Sequence, residues 1–181
     1  MLKNLFRIPD TFDPDDRRRR QVLNVTLMFF LLMAAFYSMV VVFFCGSTTC
    51  GVENELLFGV SGIVVASTLL WMNRSPRIPS WVTGTIFIAL FIFVCTQTDT
   101  PHEVYNGRST IVFAIPIMLS AMVLRPGYTL LSTFVVCVLM QLFTPPDPRF
   151  PGNSVNYFSM ADLIFIAFIS WLGMSIANRA I

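Results

Sequence analysis

Long apolar runs alternate with short polar breaks along this chain. Six runs stand out: Val22 to Phe44, Leu56 to Met72, Trp81 to Gln97, Thr110 to Leu124, Tyr128 to Phe143 and Phe158 to Ala177. A hydrocarbon core takes roughly 17–25 apolar residues of helix. The pattern therefore predicts an all-α, polytopic integral membrane protein with six transmembrane helices. Several runs lie at the short end of that range, a mismatch that a thin local bilayer or polar helix extensions would absorb. The alternative is that one of spans three to five is re-entrant.

The breaks carry turn chemistry. RSPRIPS joins spans two and three, RPGY joins four and five, and TPPDPRFPGNS joins five and six. The prolines of the last link forbid a continuous helix. Arg125-Pro126-Gly127 leaves almost no slack, so spans four and five are expected to form a tight antiparallel hairpin.

Composition supports the membrane reading. The chain is 55% hydrophobic and 12% charged, with a mean hydropathy of +0.71. Soluble domains carry about 25% charge, and a soluble fold of this size has no place to hide so much apolar surface. A net charge of +2 is small for a nucleic-acid binder.

The position of charge says more than its sum. With six spans, Lys3, Arg7, Arg17, Arg18, Arg19, Arg20, Arg74, Arg77, Arg125 and Arg179 share one side, and only Arg108 and Arg149 fall on the other. Glu53, Glu55, Asp99, Glu103, Asp147 and Asp162 lean to that second side. Short cytoplasmic loops are enriched in Lys and Arg, so both termini are expected in the cytoplasm. This gives a cytoplasmic segment over 1–21, a six-span domain over 22–177 and a cytoplasmic end over 178–181, in a cell (plasma or inner) membrane.

DPDDRRRRQVLN, residues 13–24, is the densest charge on the chain. Its arginines, Arg17 to Arg20, are expected to anchor the topology of span one. Binding nucleic acid would need a folded basic surface or a longer basic tail. A twin-arginine export signal would need a cleavable segment, whereas the first run ends in Phe43-Phe44-Cys45. Asp13, Asp15 and Asp16 suit the start of a helix near Pro14. Before it, Leu2, Leu5, Phe6 and Ile8 fit either a short interfacial helix or a loose tail.

Candidate chemistry is sparse. Cys45 and Cys50, in CGSTTC, are disulfide candidates on the oxidising side, where a bridge would pin the exit of span one. Free thiols are the alternative, and two thiolates without a nearby His make a poor metal site. Cys95 and Cys137 read as small core residues. The single histidine, His102, lies in an outer loop, either solvated or able to report external acidity. No His falls in a span, which argues against haem or chlorophyll held by intramembrane histidine. Ionisable groups within spans mark function, and only Asp162 and Glu55 approach that, both at outer ends. A small transporter would want charge nearer the midplane. Pro116 interrupts span four, as a hinge, a cavity former or tolerated packing. Gly62 with Ala66, and Gly173 with Ala177, form small faces for close helix contact, within the bundle or in a dimer. Trp71, Trp81 and Tyr128 sit near the cytoplasmic boundary, as amphipathic rings prefer. No nucleophile elbow, phosphate loop, catalytic carboxylate pair or metal-spaced cluster occurs, so no enzyme is expected.

DPDDRRRRQVLN entering span one, and NGRSTIVFAIPIMLSAMVLRPG over 106–127, resemble the multi-span amino-terminal sensor regions of bacterial signalling receptors such as histidine kinases. There an outer-loop arginine leads into a proline-containing span that ends in a tight hairpin. The resemblance implies a six-helix sensor or anchor module whose last span relays a change to a cytoplasmic kinase, cyclase or sensor module beyond SIANRAI. Arg108, Pro116 and Asp162 are the residues expected to take part in the signal. A chain that stands alone is instead expected to be a structural or accessory subunit of a larger energy-transducing or pigment-containing membrane complex. Lipid, carotenoid, pigment or quinone would then lie between its helices. The expected partners are membrane lipids, with a second copy or other membrane subunits, and no nucleic acid.

Overall fold

A computed structural model describes residues 14–44, 52–98, 108–143 and 154–179. These form six helices: α1 (Pro14–Phe44), α2 (Val52–Arg74), α3 (Ser80–Thr98), α4 (Arg108–Val123), α5 (Tyr128–Phe143) and α6 (Ser154–Arg179). No strand occurs among the described residues. Five of the six apolar runs fall inside one helix each, and the fourth passes the end of α4 by one residue, Leu124. Helix α1 begins at Pro14 with Asp15 and Asp16 in its first turn. There proline needs no N–H partner and carboxylates meet the positive end of the helix dipole.

Three helices are long and apolar enough to cross a bilayer: Asp15–Phe43 of α1, Leu56–Arg74 of α2 and Ser159–Ala177 of α6. The apolar helices α3, α4 and α5 are shorter. At 16 residues each, α4 and α5 rise only about 24 Å, against a core about 30 Å thick. The tight links are the reason. Two prolines stop the chain between α2 and α3, and a short turn leaves α4 and α5 no residues to extend into. The apolar surface left uncovered on α1, including Phe29, Leu32, Phe36 and Phe43, is far more than a soluble monomer exposes and points to a membrane location.

The chain divides into two compact units, Met1–Thr83 and Gly84–Ile181. In the first, α1 and α2 form an antiparallel pair. A Cβ on Gly62 would stand 3.5 Å from that of Ala34, and one on Gly59 would overlap the Ser38 hydroxyl. The Gly62/Ala66 face is thus used within this hairpin, where only small residues allow such an approach.

In the second unit, α6 packs against both α4 and α5, with Leu163 and Ala167 fully buried. The link between α4 and α5 closes as predicted. Leu124 N–H donates to Ser120 O at 2.9 Å, Tyr128 N–H to Arg125 O at 2.9 Å and Thr129 N–H to Pro126 O at 3.1 Å. Gly84 on α3 meets α4, where a Cβ would come within 2.8 Å of Val123 Cγ1 and 2.9 Å of Leu124 Cδ2.

Candidate functional site: a buried guanidinium at the mouth of the first hairpin

The link RSPRIPS creates a problem that its own backbone cannot solve. Helix ends leave carbonyls without partners, and proline has no N–H. Pro76 and Pro79 therefore remove the donors that Met72 O and Ser75 O would have met in a continued helix. Ser75 N–H answers part of the need, donating to Trp71 O at 3.2 Å and Met72 O at 3.1 Å. Ile78 N–H reaches Ser75 O at 3.4 Å.

The remaining demand is met from α1. Arg20 donates from Nη1 to Asn73 O at 2.7 Å and to Ser75 O at 3.3 Å, and from Nη2 to Ile78 O at 2.8 Å. Its Nε donates to Asp16 Oδ2, one turn earlier on α1, at 2.9 Å. In return, Asn73 Nδ2 donates to Arg20 O at 3.0 Å. The Ser80 hydroxyl, at the start of α3, donates to the other Asp16 oxygen. The Arg20 side chain is 3% exposed and Asn73 is fully buried.

A buried cation persists only when it is paired and hydrogen-bonded, and here every nitrogen of the fork has an acceptor. Lysine could not copy this planar array of donors. The result is a clip of Asp16, Arg20, Asn73 and Ser80 that ties the start of α1 to the end of α2 and the start of α3. Among the described residues no group of three or more His, Cys, Asp or Glu lies together.

The four arginines expected to act alike therefore differ. Arg20 is consumed by carbonyls, Arg19 pairs with Asp15, Arg18 is half-buried and Arg17 is exposed. The signal for the clip was present in the sequence as the i, i+4 spacing of Asp16 and Arg20 and the missing donors of Pro76 and Pro79. Which arginine faced α2 was not.

The second hairpin carries a neutral counterpart. Ser120 Oγ and Ser132 Oγ lie 2.9 Å apart between α4 and α5. Each hydroxyl has one proton, so one donates to the carbonyl of its own helix, Ile117 O at 2.6 Å from Ser120 or Thr129 O at 2.9 Å from Ser132, while the other donates across the pair.

The remaining candidates are scattered. Arg108 opens α4, Pro116 is buried within it, and Asp162 is exposed on α6. Cys45 and Cys50 lie outside the described residues, as do His102, Glu103 and the segment before Pro14. The described cysteines, Cys95 and Cys137, form no disulfide, so a disulfide finds no support among the described residues. Comparison of the chain with protein-family models, with curated proteins and with solved structures found no match.

Proposed function

We propose that this chain is a six-span membrane sensor or anchor module with both termini in the cytoplasm, and that α6 relays a change in the α4–α5 hairpin. The observation that carries this reading is the packing of α6. It touches both arms of the hairpin and continues to Arg179, so a shift of either arm must be absorbed by α6. Pro116 lies in the middle of the first arm, where its ring deprives the carbonyl of Val112 of a helical partner. A change in the outer region would thus act on a helix already weakened at one level.

The test is a reporter kinase fused in frame after Ile181. Arg108→Gln, Pro116→Ala and Asp162→Asn should each alter output while leaving membrane insertion intact. Unchanged output in all three variants would overturn the assignment. Cysteine labelling at positions 77 and 125 from the cytoplasmic side tests the threading.

A second reading, as a structural or accessory subunit, is favoured by one feature of α6. Gly173 has nothing within 4 Å of its Cβ position, and Ile169, Leu172 and Ile176 beside it are exposed. Stable co-purification with redox or pigment subunits in mild detergent would favour this reading over the first.

A further inference from the structure

The clip divides the basic residues of the first unit into those already engaged and those facing outward. Arg20 and Arg19 are held by Asn73, Ser75 and Ile78 carbonyls and by Asp16 and Asp15. Arg17 and Arg77 are exposed, and neither has an acidic partner among the described residues. The clip also fixes where they stand. Arg17 is one helical turn before Arg20, and Arg77 immediately precedes Ile78, whose carbonyl Arg20 holds. Two indoles belong to the same mouth. Trp71, 70% exposed, precedes by one turn the Ser75 whose carbonyl Arg20 reaches, and Trp81, 58% exposed, follows the Ser80 that binds Asp16.

We propose that Arg17 and Arg77, flanked by Trp71 and Trp81, form a docking surface for the headgroup of an anionic phospholipid. The proposal rests on the membrane reading above. The two guanidiniums supply forked donors that match phosphate oxygens. The indoles supply apolar rings with a polar edge, which suit the depth where headgroup meets acyl chain. Free phosphate would use the arginines but has no apolar part to match two large exposed rings. The buried clip keeps the surface in place, because its six hydrogen bonds hold the RSPRIPS link against α1 whether or not lipid is present.

The test uses the full chain carrying Trp171→Phe, so that Trp71 and Trp81 alone fluoresce. It is reconstituted in vesicles with brominated phosphatidylglycerol or brominated phosphatidylcholine, which quench indoles on contact. Each basic residue near an anionic surface contributes about fivefold in preference. Quenching should therefore favour the anionic lipid by about 25-fold, and Arg17→Gln with Arg77→Gln should remove most of that preference. Both positions are exposed, so the helical content of the variant should match the parent.

Equal quenching by the two lipids would overturn the proposal, as would an unchanged preference in the double variant or an equal loss in Arg125→Gln. Displacement by millimolar inorganic phosphate would overturn it in favour of a free anion. A chain that leaves the membrane fraction without detergent would overturn the membrane reading itself, a separate result from any of these.

Discussion

Two helix–helix links in this protein are closed by opposite means. Between α2 and α3 a charged side chain crosses from α1 to cap the broken end of α2. Between α4 and α5 the backbone closes itself through Arg125-Pro126-Gly127, and the cross-contact is a neutral pair of serine hydroxyls. The difference follows from the links. RSPRIPS has two prolines and no glycine, so carbonyls are stranded and need an outside donor. The turn after Leu124 has one proline, and the N–H groups of Tyr128 and Thr129 find carbonyls three residues back. Its glycine adopts no left-handed conformation, and a Cβ there would meet nothing within 4 Å, so the closure does not require glycine. A link that cannot satisfy its own backbone draws on a distant residue, whereas one that can closes without it.

Removing the distant residue should have the largest effect. Arg20→Met strands the Asn73 and Ile78 carbonyls and one face of Asp16, leaves Ser75 O with Ile78 N–H alone, and should cost about 3 kcal/mol. Thermal unfolding in detergent would register this as a large fall in midpoint. Arg20→Lys should rescue little, because an ammonium cannot span three carbonyls and a carboxylate. A lysine variant of parental stability would show that charge alone suffices and that the fork is irrelevant.

Close packing in the second unit comes next. Gly84→Ala drives a methyl against Val123 and Leu124 and should cost about 1–2 kcal/mol. Gly173→Ala, with open space around it, should be neutral or should stabilise α6 by up to about 1 kcal/mol through helix propensity. The reverse order of the two would mean that Gly173 is covered by something in the membrane.

The serine pair should matter least. A double-mutant cycle with Ser120→Ala and Ser132→Ala should give a coupling of about 0.6 kcal/mol, as between hydroxyls in other membrane helices. A coupling as large as the loss at Arg20 would erase the contrast between the links.

Much of the fold was legible because apolar runs and prolines act locally. The six helices match the six runs, and α1 begins at Pro14 because proline and the acids after it suit a first turn wherever they occur. The short α4–α5 link was equally plain, since three residues cannot separate antiparallel helices by more than a turn. Length was the harder quantity. Span counting treats every apolar run alike, yet α4 and α5 end early because the turn takes residues the span would need.

The division of labour among Arg17, Arg18, Arg19 and Arg20 shows the limit of the sequence. Four identical residues in a row carry no local mark to separate them. Helix geometry turns each by about 100° from the last, so one of the four had to face α2, and the packing of Gly59 and Gly62 against α1 selected Arg20. Local chemistry along the chain determined the helices, their breaks and the carbonyls left in need. Only the tertiary structure decided which side chain met that need, because the donor lies more than fifty residues from the carbonyls it serves.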